Sequence, residues 1–285
     1  MTTTQGFNLT WPLATPPTGP EHVWAASYPD FVAMINQTNV MPGAFATIND
    51  WALHARMSAN STLLDVACTT GFTSRELARI TGCRALGFDL SANAIALARY
   101  NHLQSGRATD VEYVQADGMD FAPGRSFSHI AVGAALGFFP DPPGMARRLV
   151  DLLEDGGHIL AAPFWCDYEL PEEVQTLRRD IFGITSPMET RADALDLFRG
   201  LDVIYQADHT LTPETDEQVA HYCYSTIERV CHDAEIRDPR VKEAMTERLK
   251  SVKNATNRLR AHQRYSVFVL RYDATTYPHR YVELF

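Results

Sequence analysis

The stretch LLDVACTTGFTSREL, residues 63–77, has the residue types of a loop that binds a polar ligand. An apolar run ends in Asp65, small residues follow up to Gly71, and a predicted helix then begins. A strand, a short loop and a helix start in this order present backbone N–H groups and the positive end of a helix to a ligand. Thr73 and Glu76 have the spacing of a capping box, which predicts that the helix begins just after Gly71.

The same loop argues against two common nucleotide-binding motifs. No Lys-Ser or Lys-Thr pair follows it, so it is not a P-loop that cradles phosphates. A full G-x-G-x-x-G sequence is also absent, which argues against close packing on a pyrophosphate. The loop must turn sharply and let a ligand approach the backbone, and the small residues Ala67 and Thr69 still permit this. These features predict a ligand with one carboxylate and a ribose rather than a dinucleotide.

Apolar runs and helical patterns alternate around this loop. Strands are predicted at TLLDVA, RALGFDL, VEYVQAD, SHIAVGAAL and HILAAPF, with helices at TSRELARITG, SANAIALARYNHLQ and PPGMARRLVDLLEDGG. The Asp141-Pro142-Pro143 step predicts the start of the last of these helices. Because the strands are too apolar to have a solvated face, the pattern predicts a parallel sheet covered by helices on both sides.

The pattern changes after residue 164. Helices are predicted at PEEVQTLRRDIF and RADALDLFRG, a strand at DVIYQADHTL, a long helical region over residues 214–263, and a last strand at RYSVFVLRYD. At the other end, residues 1–22 are rich in Thr and Pro and predict an irregular arm. Two short helical patterns, interrupted at Pro42-Gly43, lie between that arm and the first strand.

The composition is that of an ordinary globular protein. The 285 residues are 45% hydrophobic and carry a formal net charge of −10, which argues against a nucleic-acid partner because phosphate binding needs Lys and Arg. The five cysteines form no C-x-x-C pair, so neither a disulfide framework nor a metal site is predicted. No secretory leader and no run of about 18 apolar residues occurs, and we therefore expect a cytoplasmic protein without a membrane partner.

Four motifs in order resemble those of the class I S-adenosylmethionine-dependent methyltransferases. LLDVACTTG resembles their first motif, an acid followed by G-x-G-x-G, with Ala67 and Thr69 at the first two glycine positions and Gly71 at the third. GFDLS and VQADGMDF resemble the second and third motifs. FSHIAVGAALGFFPDPPGMARRLVDLLEDGGHILAA resembles the fourth strand, its helix and the turn into the fifth strand. The resemblance runs from Thr62 to Pro163 with the motifs in the expected order.

The resemblance implies a Rossmann-like α/β fold with a seven-stranded, mostly parallel sheet whose last strand is antiparallel. It adds an N-terminal helical lid and a helical cap insertion. Residues 1–22 would then be the arm, 23–60 the lid and 61–285 the cofactor-binding domain, with cap helices at about 170–200 and 214–263. The implied cofactor is S-adenosylmethionine, and the implied reaction is methyl transfer to a small-molecule biosynthetic intermediate.

The resemblance also assigns cofactor contacts to individual residues. Asp89 would accept hydrogen bonds from both ribose hydroxyls, Asp117 would bind the adenine amino group, and Met119 would lie near the ring. Asp65 would hold backbone N–H groups of the loop, or a water near the amino group of the ligand. The predicted cofactor-binding residues are Asp65, Ala67, Thr69, Gly71, Asp89, Leu90, Asp117, Gly118, Met119 and Gly133.

Aromatic residues around the ends of the fourth and fifth strands predict a pocket for the acceptor. The position where such enzymes often carry a polar catalytic residue is almost wholly apolar here, AVGAALGFFPDPP. Aromatic faces stabilise a sulfonium or shape a pocket for an apolar or cationic substrate. The predicted lid or substrate-binding residues are Tyr28, Asn36, Gln37, Phe138, Trp165 and Tyr168. No catalytic base is assigned, and Tyr168, Tyr222 and His221 are the candidates.

Other functions remain open from the sequence. An enzyme of this fold can use S-adenosylmethionine itself as the substrate, closing a small ring and releasing methylthioadenosine. Because Ala67 and Thr69 replace two glycines, a binding module without turnover is a second alternative. A nucleic-acid methylase is a third, which the acidic charge opposes. The helical insertion before the last strand would be either a cap over the site or the surface of a homodimer.

Overall fold

Eight strands form one sheet in the computed structural model, which describes residues 17–38, 41–106, 108–186 and 190–278. They are β1 (Thr62–Val66), β2 (Arg84–Asp89), β3 (Val111–Gln115), β4 (Phe127–Gly133), β5 (Leu153–Ala161), β6 (Phe164–Trp165), β7 (Asp202–Thr210) and β8 (Arg264–Arg271). The order across the sheet is β3-β2-β1-β4-β5-β8, after which both β7 and the short β6 pair with β8. Strands β1 to β5 pair in parallel, whereas β8 is antiparallel to β5, β6 and β7. The predicted mostly parallel sheet with an antiparallel last strand is confirmed, and β6 is a two-residue addition.

Ten α-helices accompany the sheet within the described ranges. They are α1 (Pro20–Ala25), α2 (Tyr28–Met34), α3 (Phe45–His54), α4 (Phe72–Thr81), α5 (Ala92–Gln104), α6 (Pro142–Asp151), α7 (Glu172–Phe182), α8 (Arg191–Asp196), α9 (Asp216–Asp233) and α10 (Pro239–Arg260). A short 3-10 helix, Ala135–Phe138, follows β4. Helix α1 crosses the predicted boundary between arm and lid, and residues 1–16 of the arm lie outside the described residues. None of the described helices is long and apolar enough to cross a membrane.

Helix α6 begins where the sequence predicts and ends earlier. Asp141 accepts a hydrogen bond from the Gly144 N–H at 2.9 Å, and Pro142 occupies the first helical position. The helix stops at Asp151, so the prediction that it extends through LEDGG is wrong. That segment belongs to β5 because its backbone pairs with neighbouring chain segments, for example through the Gly156 N–H, which donates to the Tyr272 carbonyl at 3.1 Å.

The predicted helical region over residues 214–263 is two helices rather than one. Thr215 and Gln218 form a capping box at the start of α9, and Asp238 caps α10 by accepting from the Arg240 N–H at 2.9 Å. Pro239 occupies the first turn of α10, and Glu235 in the connection has a left-handed φ of +53°. The chain therefore reverses between α9 and α10, which pack against each other.

The first two helices and the two long helices share one hydrophobic cluster. It joins Val23 of α1, Phe31 of α2, Ile227 of α9 and Met245 of α10, each at most 1% exposed, with Leu97 of α5. Separate clusters fill the two faces of the sheet. We refer to α1, α2, α9 and α10 as the helical unit. The first two helices of the predicted lid and the last two helices of the predicted cap are thus packed together on α5, and the roles of lid and cap remain predictions.

Candidate functional site

The loop after β1 has the backbone of a glycine loop although two of the expected glycines are absent. Ala67, Thr69 and Gly71 have φ values of +51°, +49° and +75°, all in the left-handed region. This conformation costs a residue with a side chain about 1–2 kcal/mol, whereas glycine adopts it freely. Loop 67–71 therefore keeps the shape that the motif requires, with strain at Ala67 and Thr69.

Hydrogen bonds from several directions hold this loop. The Thr69 N–H donates to Asp89 Oδ2 at 2.9 Å, and the Gly71 N–H donates to the Cys68 carbonyl at 2.8 Å. The Tyr113 hydroxyl donates to the Gly71 carbonyl at 3.1 Å, and a Cβ added to Gly71 would lie 2.5 Å from that hydroxyl oxygen. Gly71 is therefore constrained twice, by its φ and by Tyr113.

Asp65 caps the helix that follows the loop. Its Oδ2 accepts a hydrogen bond from the Ser74 N–H at 2.9 Å, a backbone contact in the first turn of α4 rather than in loop 67–71. The predicted capping box is wrong, because Thr73 Oγ1 faces Met41 Sδ at 3.9 Å and Glu76 pairs with Arg79 at 2.6 Å. Burial raises the pKa of Asp65 to about 7, and the bonds to Ser74 oppose this rise.

Asp89 lies at the end of β2 beside the loop. Its two oxygens accept from the Thr69 and Ser91 N–H groups, both at 2.9 Å, and burial raises its pKa. The Ser91 hydroxyl donates to Asp30 Oδ1 at 2.7 Å, which ties α2 to this corner of the site. Asp89 therefore shapes the loop while standing at the edge where strands β1, β2 and β3 all end.

The residues after β3 form the next part of that edge. Asp117 is exposed, and its Oδ1 accepts from the Met119 N–H at 2.9 Å. Gly118 is buried, and a Cβ there would lie 2.7 Å from the ring of Phe139. Leu90, after β2, is 69% exposed, and Gly133 ends β4 with a φ of +54°. This edge of the sheet thus presents the accessible carboxylate of Asp117, the apolar side chain of Leu90 and, at Gly118, a backbone that a side chain approaches closely.

The predicted lid residues contact the loop directly. The side-chain amides of Asn36 and Asn101 exchange hydrogen bonds of 3.0 and 2.8 Å, and Asn101 Nδ2 also donates to the Thr70 carbonyl at 3.2 Å. The Thr70 hydroxyl donates to the Gln37 carbonyl at 2.6 Å. The Tyr222 hydroxyl of α9 donates to Gln37 Oε1. Loop, lid and insertion are therefore joined by side-chain hydrogen bonds.

Three aromatic rings from different elements meet next to the end of β4. Tyr28 of α2 is parallel to Phe138, with ring centroids 6.3 Å apart, and meets Phe182 of α7 edge-on at 5.0 Å. Phe138 is 44% exposed, and burial raises the pKa of Tyr28 to about 12. We call Tyr28, Phe138 and Phe182 the aromatic wall.

Three other predicted residues make their contacts elsewhere. Trp165 is buried in β6, and its indole N–H donates to Ser266 Oγ at 2.8 Å, which is the environment of a core residue. Tyr168 is 52% exposed and its hydroxyl lies 2.9 Å from His262 Nδ1. His221 is on the exposed side of α9. Within the described residues, no group of three or more His, Cys, Asp or Glu side chains is arranged to hold a metal ion.

Sequence reasoning missed several residues of the site. Asn101 interrupts the apolar pattern of α5 and Thr70 is a buried polar residue in the loop, so both carried a faint signal. Nothing in the sequence indicated a role for Phe182 or Asp30, because an aromatic or acidic residue on a helix can serve many different functions. Their importance follows only from the tertiary packing.

A family comparison identifies the part of the chain that contains this site. Residues 63–157 match the family model described as a methyltransferase domain. The matched range begins in β1 and ends in β5. It therefore includes loop 67–71, the three aspartates and α5, and it excludes the helical unit that packs on α5.

Two curated relatives share this region. The chain is 31% identical over 110 residues to the ubiquinone biosynthesis O-methyltransferase of Ralstonia nicotianae, covering 39% of this chain and 46% of that protein. It is 33% identical over 119 residues to the 2-phytyl-1,4-naphtoquinone methyltransferase of Thermosynechococcus vestitus, covering 40% and 50%. The match thus spans about half the length of these relatives.

The similarity in fold extends further than the similarity in sequence. A SAM-dependent methyltransferase from Geobacter sulfurreducens, solved in complex with S-adenosyl-L-homocysteine, superposes with a TM-score of 0.65. The sequence identity is 19%, and the superposition covers 86% of this chain and 98% of that chain. This likeness supports the fold beyond the matched domain.

Proposed function

We propose that this chain, which contains a class I S-adenosylmethionine-dependent methyltransferase domain, binds S-adenosylmethionine at loop 67–71 and transfers its methyl group to a small molecule. The observation that carries the proposal is the backbone of the loop. Ala67, Thr69 and Gly71 all have positive φ, so the glycine conformation persists where two glycines do not. Strained residues of this kind cluster at binding sites, where the surrounding structure holds them in place.

The residues around the loop fit this cofactor. Asp89 and Asp117 offer carboxylate oxygens on neighbouring strands, suited to ribose hydroxyls and an adenine amino group. The exposed Leu90 and the half-buried Met119 offer apolar surface for a purine ring. When bound, S-adenosylmethionine supplies a methyl group on a cationic sulfur, which an acceptor displaces in line. The contribution of the protein is then chiefly to align the two reactants.

The side chains near the site suit an acceptor that does not need a base. Burial raises the pKa of Tyr28 to about 12 and also raises the pKa of Tyr222, so both phenols stay protonated near neutral pH and act as donors. Tyr168 and His221, the other candidates, are exposed. We therefore assign no general base and propose an acceptor that arrives as a ready nucleophile.

The aromatic wall supports a planar, apolar acceptor. Phe138 exposes 44% of its surface, and the side chains that meet Tyr28 there are aromatic. Flat rings stack well on such surfaces. Of the two curated relatives described above, one is named for ubiquinone biosynthesis and the other for a naphthoquinone. These names agree with a ring-shaped acceptor such as a hydroxyquinone, whose acidic hydroxyl is already ionised near neutral pH.

Two alternatives can be separated from methyl transfer by the products. The curated relatives are named as methyltransferases, so a reaction of S-adenosylmethionine with itself is not favoured. Incubating the purified chain with S-adenosylmethionine and a panel of catechols and hydroxyquinones should release S-adenosylhomocysteine, measured by mass spectrometry. Methylthioadenosine formed without an added acceptor would instead indicate the self-reaction. Binding without any product from the panel would favour a module without turnover.

Calorimetry tests the cofactor site itself. Asp89→Asn should weaken S-adenosylmethionine binding about tenfold or more, because an amide is a poorer acceptor for two hydroxyls than a carboxylate. Asp110→Asn is the matched control, since Asp110 is an exposed acid before β3, away from the edge where the strands end. No heat of binding to the wild-type chain at millimolar S-adenosylmethionine would contradict the proposal.

A further inference from the structure

We infer that Tyr222 is a positioning residue that holds loop 67–71 through Gln37, and that this contact takes over part of the role of the two absent glycines. The inference deepens the proposed function, because it explains how this loop keeps a shape suited to S-adenosylmethionine. It also changes the role of Tyr222, which the sequence offered as a candidate base.

The contact runs through three residues from three parts of the chain. The Tyr222 hydroxyl on α9 donates to the side-chain oxygen of Gln37, in the segment after α2. The main-chain carbonyl of Gln37 accepts from the Thr70 hydroxyl at 2.6 Å. Thr70 is fully buried in the middle of the loop. A side chain in the insertion is thereby connected to the loop by two successive hydrogen bonds.

The loop needs such support because its backbone is strained. Thr69 precedes Thr70 and holds a φ of +49°, which glycine would adopt without strain. Strained residues persist only where their surroundings fix them from several sides. Thr70 is fixed by its hydroxyl to Gln37 and by its carbonyl, which accepts from Asn101 and from Arg75, both at 3.2 Å. A loop with glycine at position 69 would need less of this support.

The surroundings of Tyr222 suit a fixed donor rather than a proton acceptor. The Lys253 ammonium lies over its ring, 4.5 Å from the centroid, and Lys253 also pairs with Glu214. These contacts hold the ring in place between α9 and α10. The hydroxyl group of Tyr222 donates its hydrogen bond to the side-chain oxygen of Gln37. A side chain fixed in this way can transmit the packing of the helical unit to the loop.

The first experiment compares Tyr222→Phe with Tyr224→Phe. Both variants remove one hydroxyl from α9, and Tyr224 is 65% exposed on the same helix. Tyr222→Phe should raise the Kd for S-adenosylmethionine about fivefold in calorimetry, the loss expected for one hydrogen bond, whereas Tyr224→Phe should leave it unchanged. Equal Kd values for the two variants would overturn the inference.

The second experiment restores a glycine. In the Tyr222→Phe background, Thr69→Gly should recover most of the lost affinity, and its effect on the Kd should be larger there than in the wild-type background, where Tyr222 still holds the loop. This coupling distinguishes support of a strained loop from a general effect on packing. If Thr69→Gly changes the Kd by the same factor in both backgrounds, the inference is contradicted.

A third measurement does not depend on the cofactor. Hydrogen exchange of the Thr69 and Gly71 amides should be faster in Tyr222→Phe than in Tyr224→Phe, with the strands unchanged. If the wild-type chain fails to bind S-adenosylmethionine, the proposed function fails, and this exchange rate still tests the contact. Unchanged exchange of both amides would overturn the inference even if the cofactor binds.

Discussion

Gly71 is the residue of the loop with the least freedom to change. Its φ of +75° disfavours any side chain, and Tyr113 fills the space that a Cβ would need. Ala67 and Thr69 share the left-handed conformation but tolerate a side chain at a cost in strain. The third position of the motif is therefore glycine for two reasons, whereas the first two positions need glycine for only one. This difference explains why the sequence departs from the motif at the first two positions.

Gly71→Ala should lower the free energy of unfolding by about 2–4 kcal/mol, since left-handed strain and overpacking against Tyr113 add together. Gly124→Ala is a matched control, because Gly124 has a φ of +67° and open space where the Cβ would go. The control should lose only the left-handed strain, about 1–2 kcal/mol. Denaturant unfolding measures both values, and equal losses would show that Tyr113 adds no steric constraint.

Asp65 gives the loop a pH dependence. Its folded pKa of about 7 lies above its ordinary value near 4, so the folded state binds a proton that the unfolded state has released between these values. The contribution of Asp65 to stability should therefore be highest below about pH 4, fall as the pH rises towards 7, and then level off. Between these two pH values, the titration of Asp65 should change the free energy of unfolding by on the order of a few kcal/mol.

Asp65→Asn removes this titration and can still accept the Ser74 hydrogen bond. The unfolding free energy of the variant, measured between pH 5 and pH 8, should fall less steeply than that of the wild-type chain. Asp89, whose pKa is also raised, and His158, whose pKa is lowered by burial, titrate in both proteins, so the comparison of the two slopes reports on Asp65. Identical slopes would show that Asp65 ionises normally in the folded state.

At the scale of elements, Arg248 connects α10 to the end of α1. Its guanidinium donates to the carbonyls of Val23 and Ala26, the latter at 2.5 Å, and lies over the ring of Phe31, 4.4 Å from the centroid. The last carbonyls of a helix have no partner within the helix. A short helix such as α1 is therefore stabilised largely by its contacts with α10.

Arg248→Met should loosen α1 and α2 without disturbing the sheet. Methionine keeps much of the apolar stem but loses the donors to the carbonyls of α1, which should cost about 1–3 kcal/mol. Hydrogen exchange over residues 20–34 should become faster. Arg240→Met is the control, since the exposed Arg240 forms its ion pair with Asp238, at the start of α10 itself. Faster exchange in both variants would argue against a specific role for Arg248.

For the whole molecule, local sequence patterns predicted the strands and the helices between them, but they missed the contacts that join distant segments. The strands with their terminal acids follow from periodicity and motif order, which are properties of neighbouring residues. The capping box failed because Gly71 is the N-cap residue of α4, so Thr73 lies inside the helix and its hydroxyl faces Met41. The pairing of Asn36 with Asn101 spans 65 residues, and no short pattern encodes it. The residues proposed to bind the cofactor could therefore be predicted from the sequence, whereas the contacts of the lid with the loop depend on tertiary packing.

The helical unit should unfold as one body while the sheet stays folded. Its four helices share a single cluster, and the sheet has clusters of its own. Ile227→Ala, in the centre of the unit, should lower the opening free energy of α1, α2, α9 and α10 by the same amount, about 2–4 kcal/mol, in native-state hydrogen exchange.

Ile130→Ala is the matched change in the sheet, because Ile130 is fully buried in β4. It should lower the protection of the strands and leave the opening of the helical unit unchanged, since the sheet stays folded when only that unit opens. If Ile227→Ala speeds exchange in α9 alone, the four helices are not one cooperative unit. In that case α2 could move independently of the insertion, and the Gln37 contact with Tyr222 would have to break whenever α2 moves.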